Sequence, residues 1–245
     1  MNPKARFFVI FLVVVAISTI SFVTFYLGAG FSKLTFDPER RRLPLVLISF
    51  ERFGAEHQES QYQEFQRSRR TAFENYNYGV IFQGSTWLSS DGNRTERWHR
   101  VAVESFAVTG DYVNAVTDPA YTAIEDWFDE NKLDEFGRFV GHVKLTKSYR
   151  KPVVVLLSDA VDEHQLELVE VVSATLAPFH GRIDFATPVV KISGNSELSV
   201  NYFAFIEFED TAEMMAWLVN TIRKSQFAQL RKHVDNLSLV VATPS

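Results

Sequence analysis

Cysteine is absent from the 245 residues, which removes disulfides, thiolate nucleophiles and cysteine-ligated metals together. A thiol-free chain suits an oxidising compartment. Basic clusters with interleaved aromatics are also missing. Lys and Arg number 25 against 30 Asp and Glu, for a net charge of -5, so nucleic acid is not an expected partner. The six histidines, at 57, 99, 142, 164, 180 and 233, include no pair four residues apart as on a metal-binding helix. There is no Gly-rich phosphate loop, no nucleophile elbow with a Ser-His-Asp order, and no recognisable pair of inward carboxylates. No metal and no cofactor is therefore expected.

Charge is missing in one place above all. Phe7–Leu27, FFVIFLVVVAISTISFVTFYL, carries no charged side chain over 21 residues. At about 1.5 Å per residue such a helix spans the roughly 30 Å hydrocarbon core of a bilayer. The run is longer than the apolar core of a cleaved signal peptide and lacks a clear cleavage site. The lipid bilayer is thus the first expected partner, engaged by a single-pass signal-anchor. Lys4 and Arg6 precede the run, whereas Lys33 and Arg40–Arg42 follow it, so the charges on its two flanks oppose each other. The short basic N-terminus abutting the apolar run is the signal-like arrangement and places the soluble body outside the cytoplasm, in a periplasmic or other extracytoplasmic space.

Residues 1–31 are read as the anchor and 32–43 as a linker, marked by Gly28, Gly30 and Pro38 and by the Arg40–Arg42 cluster, which suits anionic headgroups or solvent. Beyond Pro44 the pattern is that of an α+β protein. Leu45–Phe50 reads as a strand and 59–76 as a helix with Tyr62, Phe65, Phe73 and Tyr76 on one face. Val80–Phe82 and Trp98–Phe106 read as strands, joined by a turn at Ser89–Asn93. A second helix begins near Asp111, and Phe139–Thr146 closes the unit as a strand. The order, β-α-β-β-α-β, starts again at Pro152. Gly79 and Gly181, Gly92 and Gly194, Ala102 and Ala204, and Phe106 and Phe208 are each 102 positions apart. Pro44-Leu45-Val46 matches Pro152-Val153-Val154 at 108, and Val143 and Leu145 match Leu239 and Val241 at 96. In the second unit Leu166, Val169, Val172 and Leu176 form the helical stripe, and Asp162-x-x-Gln165 and Asp210-x-x-Glu213 are capping signals. Two ferredoxin-like units, 44–147 and 152–243, are expected from an internal duplication, their open sheet faces packed on one another in one chain.

The first unit carries Leu47-Ile48-Ser49-Phe50-Glu51-Arg52-Phe53, Tyr76-x-Tyr78-Gly79, Trp98-His99-Arg100 and Asp118-Pro119-Ala120-Tyr121. With these it resembles the dimeric α/β-barrel superfamily, and within it a small bacterial family of stand-alone domains of unknown function. The resemblance rests on motifs over 44–146 and on pattern alone over 152–243. It implies an α/β barrel built within one chain. Relatives include haem enzymes, cofactor-free oxygenases and proteins without known activity, so it implies little about chemistry. The second unit lacks the Asp-Pro-Ala-Tyr element, and a site built on it would occur once per chain.

His99, beside Trp98 at a strand start, is the best single candidate for ligand contact or acid–base work. Glu51 and Arg52 leave the first strand together at the barrel rim, where they orient a ligand or form an ordinary ion pair. Tyr121 is a candidate inward hydroxyl. The acidic, aromatic stretch Asp126–Arg138 offers Trp127, Phe128 and Phe136 as docking residues for another protein, such as a larger membrane complex. Two functions compete. One is a membrane-anchored, non-enzymatic binding or accessory protein. The other is an enzyme or sensor that takes a small apolar molecule between the sheets, with His99, Arg52 and Tyr121 as polar contacts.

Overall fold

The computed structural model describes residues 39–53, 58–90, 98–124, 133–145, 148–160, 162–194, 200–223 and 237–244. The Phe7–Leu27 run lies outside them, and among the described residues no helix is long and apolar enough to cross a membrane.

Each half follows the order strand, helix, two strands, helix, strand. The first half comprises β1 (Leu45–Phe53), α1 (Gln58–Phe73), β2 (Tyr78–Ser90), β3 (Arg100–Phe106), α2 (Thr109–Val116) and β4 (Leu133–Gly141). The second comprises β5 (Val153–Ser158), α3 (Asp162–Leu176), β6 (Arg182–Ser193), β7 (Tyr202–Glu207), α4 (Thr211–Arg223) and β8 (Leu237–Pro244). The strands form one closed barrel in the order β1-β3-β2-β8-β5-β7-β6-β4. All eight neighbouring pairs are antiparallel.

Strand alternation divides each strand between two cores. In β1, Val46, Ile48 and Phe50 face the barrel interior, while Leu45 and Leu47 join the layer with Phe73 and Tyr112 of the helices. Burial on both faces explains why β1 and β5 read as continuous apolar runs. The interior is filled by rings. Phe205 stands 5.6 Å from Phe82, 5.2 Å from Phe185 and 4.7 Å from Tyr149, and Phe50 lies 5.8 Å from Trp98 and 6.3 Å from Phe139.

The two four-stranded sheets meet edge to edge as well as face to face, through β2–β8 and β4–β6. Each seam has a glycine where the strands come too close for a side chain. A Cβ on Gly84 would lie 2.4 Å from the Thr243 carbonyl oxygen, and one on Gly141 would lie 2.9 Å from that of Pro188.

Several sequence expectations shift. The strand expected at Phe139–Thr146 runs from Leu133 to Gly141, because β4 must pair along all of β1, from Val46↔Gly141 to Phe53↔Leu133. The 96-residue offset is consequently replaced by 101, which aligns Val140, opposite Leu47, with Val241, opposite Val154. On the first strand the offset is 107 rather than 108, since Leu47 opposes Glu104 as Val154 opposes Ile206. A one-residue slip would turn every side chain to the other face. The 102-residue offset holds for β3 and β7. In α3 the inward residues are Leu168, Val172 and Leu176, whereas Leu166 is 76% exposed. Gln165 takes the inner position at the start of that stripe, its Nε2 donating to the Ala160 carbonyl at 3.2 Å.

Truncating Phe205, with four ring neighbours and no exposed surface, is expected to cost about 3–5 kcal/mol in Phe205→Ala. Urea denaturation of the full chain measures it; a loss below about 1 kcal/mol would mean that the rings do not hold the barrel together.

Candidate functional site

The candidates picked from the sequence do not converge on the barrel interior. Trp98 lines it and packs on Phe50. His99 is exposed at the rim. Its backbone N–H donates to the Glu51 carbonyl at 2.9 Å, its Nδ1 accepts from the Phe53 N–H at 2.9 Å, and its ring stacks on Phe53 at 5.8 Å. Accepting at Nδ1 requires that nitrogen to be unprotonated, so His99 here splices two strand ends. Arg52 is half-buried on β1. Tyr121 lies in the helix-covered layer, stacked on Phe73 at 4.6 Å. Phe136 is in β4 with the Arg138 guanidinium 4.9 Å over its ring, and Trp127 and Phe128 lie outside the described residues.

Glu51 leads elsewhere. Alternation turns it outward, under α1, where Glu51, Arg69, Arg100, Glu104 and Arg138 are all at most 5% exposed. Arg69 of α1 donates from Nη2 to Glu104 Oε2, and the Tyr78 hydroxyl donates to Glu104 Oε1. Burial and the neighbouring Glu104 hold the Tyr78 hydroxyl well above its ordinary range. Gln66 donates from Nε2 to the Tyr62 hydroxyl at 2.6 Å, and the Arg100 guanidinium lies 5.2 Å over the Tyr62 ring. The Tyr62 hydroxyl in turn faces Glu51 and favours its charged form. Among the described residues, however, neither Glu51 carboxylate oxygen has a hydrogen bond of good geometry. Desolvation outweighs the help of Tyr62, Arg138 and Arg69, and pushes the Glu51 carboxyl from 4.5 to about 7.

The second half shows that the fold does not require this charge. Through the strand ladders, Ser49, Glu51, Arg100, Glu104 and Arg138 correspond to Leu156, Ser158, Tyr202, Ile206 and Leu239. The inward lines of the first helices share one spacing, Tyr62, Phe65, Arg69 and Phe73 against Gln165, Leu168, Val172 and Leu176. Where one half buries two carboxyls and three guanidiniums, the other buries an apolar layer. Desolvating such ions costs several kcal/mol apiece before pairing offsets it, so packing alone would not select them.

Beside the cluster an open groove of about 470 Å³ runs between α1 and the β2–β3 ladder. Gln63, Gln66, Arg67, Arg70 and Thr71 present one face of α1 to it, at spacings of three, one, three and one, and Glu74 follows just past its C-terminal end. Gln83 of β2 and Arg100 of β3 line the opposite side. Arg70 donates from Nη2 to Gln83 Oε1, bridging the two walls. On the second half His180, Glu209 and Glu213 bring ligand-type atoms within 4.8 Å of one another. His180 there is 68% exposed, with its Nδ1 2.7 Å from Glu213.

Eight antiparallel strands closed into a barrel, with each half's helices on the outside, decide the architecture. The fold is a dimeric α/β barrel made from one chain. No family model matches the sequence, and no curated protein matches it. Among solved structures, an anthrone oxidase-like protein is similar with a TM-score of 0.51 at 9% identity, over 82% of this chain and 91% of its own. A mutant chlorite dismutase from Candidatus Nitrospira defluvii gives 0.46 at 10% identity, over 81% and 92%. A protein of unknown function from Rhodopseudomonas palustris gives 0.40 at 16% identity, over 47% and 92%. At 9% identity the likeness to the anthrone oxidase-like protein concerns fold alone.

Sequence reasoning missed Tyr62, Gln66, Arg69, Arg100, Glu104 and Arg138 as a site. One signal was available: Arg69 sits on the apolar line of α1, seven residues after Tyr62 and four before Phe73, where an arginine has to be buried. The folded chain keeps a proton on Glu51 between pH 4.5 and about 7 that the unfolded chain has lost. Stability from this group therefore falls as pH rises through that window, by up to about 3 kcal/mol. Glu51→Gln is expected to flatten this part of the stability–pH curve in chemical denaturation, and an unchanged slope would place the titration elsewhere.

Proposed function

We propose that the chain is a membrane-held binding or accessory protein whose barrel is a structural body rather than a reaction chamber. The observation that carries this reading is the filling of the interior by Phe50, Phe82, Trp98, Phe139, Phe185, Phe203 and Phe205, all at most 8% exposed. A substrate between the sheets would have to displace these rings. The polar contacts that such a substrate needs are dispersed, with His99 at the rim and Tyr121 behind the sheet.

The uncharged length of Phe7–Leu27 supports the membrane location. The linker's last turn, Arg40–Arg42, is exposed, which suits contact with anionic headgroups next to an anchor. The Leu43 carbonyl accepts from the Thr109 N–H at 2.7 Å and from its hydroxyl at 2.9 Å, tying the linker to the body. We also read the two halves as products of an internal duplication. The repeated element order and the 102-residue offset support this, and it would let one chain close the barrel without a partner.

A second reading, an enzyme or sensor, gains from the titratable cluster under α1, since groups held near neutrality by burial and charge concentrate at functional sites. That reading moves the site from the barrel interior to the α1 side of the sheet.

The full chain is expected to stay with membranes through carbonate and high-salt washes and to leave only with detergent. The solubilised protein should then show no chromophore in its absorbance and no tightly bound small apolar molecule by native mass spectrometry. A shortened soluble form would overturn the anchor, and a stoichiometric apolar ligand would overturn the filled barrel.

A further inference from the structure

The groove beside α1 has chemistry that neither the barrel fold nor a membrane anchor calls for. It brings three guanidiniums, of Arg67, Arg70 and Arg100, to one concavity with a single carboxylate, Glu74, among the lining residues. Gln63, Gln66 and Gln83 add amide groups. Arg67 and Arg70 are exposed at the rim, while Gln66 and Arg100 are buried at the floor. From Gln63 to Thr71 the helical wall extends about 12 Å, and a volume of 470 Å³ lies within the range of small-molecule sites. Planar, forked guanidiniums facing one space match the geometry of oxygen-bearing anions.

We propose that this groove binds a small organic oxyanion, one bearing a carboxylate or a phosphate- or sulfate-type head, and that Glu51 takes up a proton when the anion binds. The anionic head lies toward Arg67 and Arg100, and Glu74 repels a second anionic group at its end of the groove. The polar body of the ligand meets Gln63 and Gln83.

Two routes join the groove to Glu51. Arg100 lines the groove and is the cross-strand partner of Glu51, so an anion held at Arg100 is brought one strand away from the Glu51 carboxyl. Gln66 also lines the groove and donates to the Tyr62 hydroxyl, which faces Glu51. The charged and titratable groups around Glu51 are Tyr62 and Arg69 on α1, Arg100 and Glu104 on β3, and Arg138 on β4. Negative charge brought to Arg100 repels the ionised Glu51 carboxylate and favours its neutral form, whose proton comes from solvent. Affinity therefore rises as pH falls through the range in which Glu51 titrates. The second half cannot do the same, since Tyr202 and Leu239 stand where Arg100 and Arg138 stand in the first.

Isothermal titration of the detergent-solubilised full chain tests this independently of where the protein resides. Sulfate and oxalate serve as probes, with chloride holding ionic strength constant, because both keep a fixed charge between pH 6.5 and 8.5. Saturable one-to-one binding by either probe is expected, and which one binds more tightly separates tetrahedral from carboxylate heads. The Arg67→Ala/Arg70→Ala variant changes exposed rim residues only and should lose at least about tenfold in affinity while melting like the parent. Between pH 8.5 and 6.5 affinity should rise several-fold, with proton uptake visible as a buffer-dependent heat, and Glu51→Gln should bind with a flat pH profile. No saturation by either probe up to 10 mM, or equal binding by the rim variant, would overturn the site. Binding that survives with an unchanged pH profile in Glu51→Gln would overturn the role of Glu51.

Discussion

Closure of the barrel is the constraint on which everything else here depends. Each half makes a four-stranded antiparallel sheet with helices on one face, which leaves an apolar face and two strand edges to be satisfied. Joining β2 to β8 and β6 to β4 settles both needs in one step, since the seams pair the edges while the two apolar faces become a shared interior. The seams must be tight, and Gly84 and Gly141 occupy positions where a Cβ would meet the backbone of the opposite strand. The interior must also be full, and packed phenylalanine rings fill it. Outside the barrel lies the layer between sheet and helix.

That layer is where the two halves part company. Under α3 it is an ordinary apolar interface of Val154, Leu156, Leu168, Val172 and Ile206. Under α1 the corresponding ground holds the Arg69–Glu104 pair, the Glu51 carboxyl and two further arginines. Ions held without water are poor contributors to stability, and the partly compensated Glu51 reduces it further near neutral pH. The chain tolerates this on one side because the apolar layer of the other side and the ring-filled interior supply cohesion.

Much of the architecture was legible from periodicity. Continuous apolar runs at Leu45 and Val153, the helical stripes and the repeated element order all follow from burial patterns that one chain displays openly. Registers were less legible. Matching Pro44 to Pro152 aligned strand starts and missed by one residue the offset that the ladders impose, since alternation along a strand buried on both faces looks the same either way. The start of β4 was hidden because DEFGR is acidic and has no apolar alternation until Phe139. The site was hidden for a different reason. Glu51-Arg52 reads locally as a rim ion pair, and only the ladders show that Glu51 turns under α1 toward Tyr62 and Arg69 while Arg52 takes the other face. Buried charge depends on which distant residues share a face, and that information lies in the strand pairing.

The single-chain seams also bear on symmetry. A barrel assembled from two identical subunits repeats every residue, so a buried carboxylate at one position appears at two, and its cost is doubled along with any benefit. Here the two seams are built from different residues, Gly84 of β2 meeting Thr243 of β8 and Gly141 of β4 meeting Pro188 of β6, so they depart from two-fold repetition. Substitutions can then accumulate on one side without being mirrored on the other. The chain is thereby free to differ between its halves, with charge buried under α1 and an apolar layer under α3.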